Sequence, residues 1–287
     1  MNRAPAGMRL LAGAGAMTAS LATAHAQGTC RPPDDSNEAQ VFGIQSVPLA
    51  YSGLGGGAVD RPGRVWAVLE LSYLPSIDSV TRTPTICRPG KPAENTNPID
   101  VFPRPRVGLV LPYHFSLEAS WIPPVRVNGV RANLFGVSLA WTHAAGRTVS
   151  VAFRAHGTFG EIRAPVTCDD DALGDPASEC FGGTKSDDRY RPNIFGVDAT
   201  VALALGSGRW RPYVGGGYNR LEPRFQVHFV NSAGQLDDTR VEVGLNRGTV
   251  FGGLQWLPNG WLVVGGEAYA APADAVTGRA FLRAYLN

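Results

Sequence analysis

The chain has 287 residues, with 26 Lys and Arg against 24 Asp and Glu, a formal net charge of +2. Residues 1–26 hold two of the basic side chains (Arg3 and Arg9) and no acid, so the rest of the chain carries 26 − 2 = 24 basic against 24 acidic residues. A balance this close to zero excludes nucleic acid or another polyanion as the main partner, since those require a basic surface.

Residues 1–26 read as a Sec signal peptide. Leu10 to Ala26 is free of charge, and Ala24-His25-Ala26 before Gln27 is an A-x-A cleavage site. The run is too short and too weakly apolar for an uncleaved anchor of about 20 residues. Cys30 follows Gln27-Gly28-Thr29, which is not a lipidation triplet. Beyond Ala26 there is no apolar stretch of about 18 residues, hence no candidate transmembrane helix. Residues 27–63 are polar and rich in Gly and Pro. They predict an irregular N-terminal segment in which Val41 to Tyr51 adds at most a short strand.

From Arg64 the apolar pattern takes a period of two and keeps it to the end. Val65, Ala67, Leu69, Leu71 and Tyr73 alternate with Trp66, Val68, Glu70 and Ser72. Val107, Leu109 and Leu111 follow, against Arg106 and Gly108; then Phe115, Leu117, Ala119 and Trp121, against His114, Ser116 and Glu118. Phe135 to Trp141 and Val149 to Ala155 repeat the pattern, the second against Arg154 and His156. Phe195 to Leu203 alternates with Asp198, and Trp210, Val214 and Tyr218 face away from Tyr213 and Asn219. Val250, Leu254 and Trp256 follow a phase change near Asn246 that predicts a bulge. Leu262, Val264 and Ala268 oppose Glu267, and Ala280 to Leu286 oppose Arg279 and Arg283. This makes about ten strands and very little helix.

The connections alternate in length. Those at 112–114, 143–146, 206–208 and 258–260 are tight; those at 76–103, 123–129, 164–191 and 223–239 are long, and 271–277 is shorter. Short periplasmic turns alternating with longer external loops are the rhythm of an outer-membrane barrel. The fold class is therefore all-β: a transmembrane antiparallel up-and-down β-barrel over residues 64–287. A soluble β-sandwich shares the alternation, but two features favour the barrel. Tyr73, Tyr113, Trp121, Trp141, Trp210 and Trp256 sit near the ends of the apolar face, as an aromatic girdle would. The opposite face is nearly free of Lys, of which the chain has only Lys91 and Lys185.

From about Arg64 to Asn287 the chain resembles the small bacterial outer-membrane β-barrel proteins, the broad class of OmpA-like and OmpW-like barrels. The signal peptide, the hairpin repeat and the strand Gly278 to Asn287 carry the resemblance. The chain departs from the class in ending Tyr285-Leu286-Asn287, where a final aromatic residue is usual. The resemblance implies outer-membrane lipid and the barrel-assembly machinery as partners.

Glu70, Arg106, His114, Glu118, Arg154, His156, Asp198, Glu267, Arg279 and Arg283 are expected to line the lumen. Near-equal numbers of Arg and acid favour pairing, and ten strands enclose little more room than eight, which side chains can fill. A closed or narrow scaffold is the expected function, with a small-solute pore as the alternative. A hydrolase is a third reading: His114, Ser116 and Glu118 share one face of one strand. Successive same-face residues stand about 6.6 Å apart, too far for a triad, so no catalytic residue is assigned. No cofactor is expected, and no C-x-x-C pair or His cluster suggests a metal. The acids at 169–171 lack calcium-loop spacing and read as solvated. Cys168 and Cys180 are expected to close a short disulfide, leaving Cys30 to pair with Cys87. The loops at 76–103 and 164–191 are where an external ligand would bind.

Overall fold

The computed structural model describes residues 28–55, 62–96, 99–206 and 208–286. The signal-peptide reading therefore lies outside the described residues. Ten strands form the body: β1 Val65–Tyr73, β2 Val101–Val110, β3 Phe115–Ile122, β4 Val130–Ala145, β5 Val149–Ala164, β6 Ile194–Leu203, β7 Trp210–Leu221, β8 Leu245–Trp256, β9 Leu262–Ala271 and β10 Ala275–Tyr285. Each is antiparallel to the next, and β10 pairs with β1 to close the sheet. Closure leaves no unpaired edge in the ring, which is how a strand structure satisfies its backbone in lipid.

The outward face explains why the barrel belongs in a membrane. Leu69, Leu71, Val107, Leu117, Val137, Phe153, Val197, Val214, Val250 and Leu282 all project outward and are exposed. An apolar band on every strand is an unstable surface in water but a matched one in hydrocarbon. At the short-turn end the band is rimmed by Tyr113, Trp141, Trp210 and Trp256, joined by Trp261; at the long-loop end stand Tyr73 and Trp121. Trp210 stacks on Trp256 across the β7–β8 pair, and Trp121 on Phe135. By the rule of such barrels the long-loop end is external.

Three local readings are corrected. The register of β7 and β8 runs without interruption from Trp210↔Trp256 to Leu221↔Leu245, so no bulge lies near Asn246 in that pair. The apparent phase change comes from glycines at 248, 252 and 253, which blank the alternation. Val41 to Tyr51 is not a strand. It falls in and just after helix α1, Asn37–Leu49, whose first turn is capped by the Ser36 hydroxyl accepting from the Ala39 N–H at 3.1 Å. The 27–63 segment is therefore not wholly irregular. The long external segments also carry short strands of their own. Asp188–Arg191, Arg224–Gln226, Arg240–Glu242 and Thr29–Cys30 pair in series onto the outer end of β5, building a small external sheet, the cap.

Candidate functional site

The N-terminal segment enters from the cap side and runs down inside the barrel. Helix α1 lies beneath the cap, with Phe42 packed on Tyr190 and Phe225. Residues 50–55 then descend in the lumen toward the short-turn end, where Leu54 is buried with Trp66, Val110 and Phe281. Wall side chains lie close against this plug. A Cβ at Gly53 would lie 2.0 Å from the Arg154 guanidinium. At Gly55, whose φ is +111°, it would lie 1.4 Å from the Gln255 amide.

An extended segment inside a protein must find donors for its carbonyls. Here the barrel wall supplies them. Arg104 donates to Leu49 O at 2.8 Å; Arg279 donates to Val47 O and Ala50 O, both at 2.9 Å; Arg106 donates to Ser52 O at 2.8 Å. Arg283 and Gln255 both donate to Leu54 O, at 3.2 and 2.8 Å. Thr158 donates to Leu49 O at 3.1 Å.

The same arginines pair with wall carboxylates. Arg106 binds Glu70 through Nε at 2.7 Å and also through Nη2, and Glu118 at 3.0 Å. Glu118 further accepts from the Trp66 indole at 3.1 Å. Arg279 reaches Glu267 at 3.4 Å and Glu70 at 3.7 Å. Glu267 is closed off by Ser52 at 2.5 Å and Tyr213 at 3.1 Å. Arg154 and His156 share Asp198, at 3.4 and 3.5 Å. Arg106 also stacks over the Tyr51 ring, 4.1 Å from its centre. Five buried arginines (104, 106, 154, 279, 283) face four buried acids (70, 118, 198, 267) in the described lumen. Arg283, which has no carboxylate partner among the described residues, donates instead to the plug carbonyls of Gly53 and Leu54.

Nine of the ten residues expected in the lumen are buried inside the barrel. The tenth, His114, is not on β3. It closes the 112–114 turn with a φ of +68°, exposed at the short-turn rim. From that turn His114 still borders, with Ser116 and Glu118, the small cavity at the short-turn mouth of the lumen. With Glu118 engaged by Arg106 and Trp66, the three residues do not assemble as a nucleophile with its base. Arg104, buried to 1 % exposure, escapes a reading that ends the loop at residue 103. Its signal is the P-R-P-R run at 103–106: both prolines project outward and both arginines inward. Tyr51, Ser52, Tyr213 and Gln255 are further lumen groups whose roles appear only with the plug in place. Around Gly53, Trp66, Ser116, Glu118, Arg154 and Arg283 about 50 Å³ of free space remains, enough for a few waters.

The cap is stitched to the plug and to the first external loop. Cys30 is bonded to Cys87, and Cys168 to Cys180. Glu38 of α1 accepts the N–H groups of Thr85, Ile86 and Cys87 at 2.8–3.0 Å. Arg88 binds Glu94 and Glu179 and lies 3.6 Å from Asp237, tying three external segments to one guanidinium. Burial, with Asp188 and Glu179 near, pushes the Glu94 carboxyl up to about 7 despite Arg88. The acids at 169–171 are partly engaged: Asp169 caps the short helix that follows it, and Asp170 pairs with Lys185 at 2.7 Å.

No family model matches the chain, and no curated protein matches it. Solved structures do. The attachment invasion locus protein Ail of Yersinia pestis aligns over 78% of this chain and 99% of its own, at 11% identity and a TM-score of 0.32. The toluene transporter TodX of Pseudomonas putida aligns over 79% of this chain and 69% of its own, at 10% identity and a TM-score of 0.35. The barrel assignment rests on the chain's own closed sheet.

Proposed function

We propose that the protein is an outer-membrane scaffold, sealed by its own N-terminal segment, whose disulfide-braced external cap is the working surface. The observation that carries this reading is the plug: residues 47–54 hand their carbonyls to Arg104, Arg106, Arg279 and Arg283. A pore keeps its lumen wet, whereas here the guanidinium and carboxylate groups are buried and most of them are paired. Such charges rigidify a wall and conduct nothing. The route to the membrane is export with cleavage after Ala26, followed by insertion through the barrel-assembly machinery. Outer-membrane lipid covers the apolar band, and the external segments 76–103 and 164–191 meet an external ligand or partner.

Planar-bilayer recording of the refolded full chain tests the reading. A silent or only rarely flickering bilayer is the expected result. Steady conductance whose ion selectivity changes in Arg154→Ala would replace the scaffold with a small-solute pore.

A further inference from the structure

Above the plug, helix α1, the external loop after β1 and the cap sheet border a partly open chamber of about 120 Å³. Protein interiors are close-packed, and voids much larger than a water are few. A dry apolar cavity of roughly 150 Å³ is known to admit benzene, so the chamber has the scale of a binding site rather than a packing defect.

Its chemistry is fixed by three observations. The wall is apolar, with Val41, Phe42, Ile99, Ile162, Tyr190 and Phe225 supplying much of it. The acids at its margin are already satisfied. Glu38 accepts three backbone N–H groups; Asp188 accepts those of Val166, Thr167 and His228 and the Ser186 hydroxyl; Glu94 holds Arg88. A cationic ligand would therefore find no free carboxylate; of the two guanidinium groups in the lining, Arg88 is held by Glu94 and Glu179, and Arg82 donates to the Glu94 carbonyl at 3.1 Å, each with its Nε unpartnered. Finally, the Thr96 hydroxyl lines the chamber, is buried, and makes no hydrogen bond. Buried hydroxyls ordinarily have a partner. Thr81, Arg82 and Gln45 share the lining and are half-buried.

We propose that this chamber binds a small, uncharged, largely apolar molecule of about the bulk of one six-membered ring, anchored on the Thr96 hydroxyl by a single hydroxyl or carbonyl group. The proposal goes beyond the sealed-scaffold reading and does not depend on whether the lumen conducts.

The test is methyl NMR of the full chain in lipid nanodiscs, titrated with cyclohexanol and separately with cyclohexane. Saturable shifts are expected at Val41, Ile99, Ile162 and Val241, while Val214 on the lipid face reports only non-specific partition. Thr96→Val should weaken cyclohexanol about 5- to 10-fold, the value of one net hydrogen bond, and leave cyclohexane unchanged. Val241→Phe should fill the chamber and abolish both. Where that variant does not reach the folded, heat-modifiable form, Ala164→Leu serves in its place. Shifts that never saturate and match those at Val214, or saturable binding that survives the filling variant, would overturn the site. Undiminished cyclohexanol binding in Thr96→Val would overturn the anchor.

Discussion

Truncating Arg106 to Ala probes the lumen network at its centre. The side chain is buried and serves Glu70, Glu118 and the Ser52 carbonyl together. Removing one partner of a buried ion pair typically costs about 3–5 kcal/mol, because the other charge stays desolvated. After truncation Glu70 keeps the Ser72 hydroxyl at 2.8 Å but only longer ionic contacts, to Arg279 at 3.7 Å and Arg104 at 3.9 Å, while Glu118 keeps the Trp66 indole. A loss of about 4 kcal/mol, the middle of that range, is therefore expected. Arg154→Ala should cost less, since its contact to Asp198 is longer, at 3.4 Å. The assay is reversible urea unfolding in lipid vesicles, followed by Trp fluorescence and by heat-modifiable migration. Replacing one pair, Arg106→Met with Glu118→Gln, should recover part of the loss, because Glu70 still faces Arg104 and Arg279 and Glu118 no longer carries a charge. An Arg106→Ala protein within about 1 kcal/mol of the parent, the size of an average substitution, would refute the network.

Other outcomes follow from the cap and the leader. Mass mapping of non-reduced peptides should find the pairs 30–87 and 168–180; free thiols or a 30–168 link would contradict the cap. Chain-entropy arguments put the 168–180 link, which closes a 12-residue separation, at about 3 kcal/mol of local stability, so Cys168→Ser should raise amide exchange in 165–190 while sparing the barrel strands. Because the Glu94 carboxyl is raised to about 7, the folded cap binds a proton the unfolded chain releases near 4.5. The contribution is full below about pH 4.5 and is lost as the pH rises through 7. Amide protection over 88–96, corrected for intrinsic rates, should therefore be greater at pH 5 than at pH 8, and Glu94→Gln should remove the difference. N-terminal sequencing of the envelope protein should begin at Gln27; a retained Met1 would end the export reading.

The ten strands were legible because a closed barrel in lipid imposes a two-sided contrast on every strand, apolar outside and polar or small inside. Leu69, Leu71 and Glu70 show it in three residues. The inward charges were legible for the same reason, down to Glu267 and Arg279, which sit opposite each other in the β9–β10 register. Helix α1 was not legible, because it is buried on several sides at once. Ala39, Val41, Phe42, Ser46, Val47 and Leu49 are all covered, leaving no polar face to mark a 3.6-residue period. The cap was only partly legible: Phe225, Val227 and Phe229 continue the alternation beyond β7, and Arg224–Gln226 does pair with Arg240–Glu242, but the other cap strands are two to four residues long, too short for a period to register. The plug escaped because Tyr51-Ser52-Gly53-Leu54-Gly55 looks like a flexible linker. At Gly55 the φ of +111° favours glycine, and the Arg154 and Gln255 side chains lie against the segment, which the sequence alone does not show.

The central claim is that the barrel is closed by its own residues 28–55, and conductance of two proteins side by side tests it most directly. The intact chain and a chain lacking 28–55, each first shown to be heat-modifiable, are inserted into planar bilayers. The account expects the intact chain to be silent and the shortened one to open a steady anion-preferring current, since five lumen arginines would then face four acids with the plug carbonyls gone. A steady current through the intact chain, or a folded deletion as silent as its parent, would contradict it.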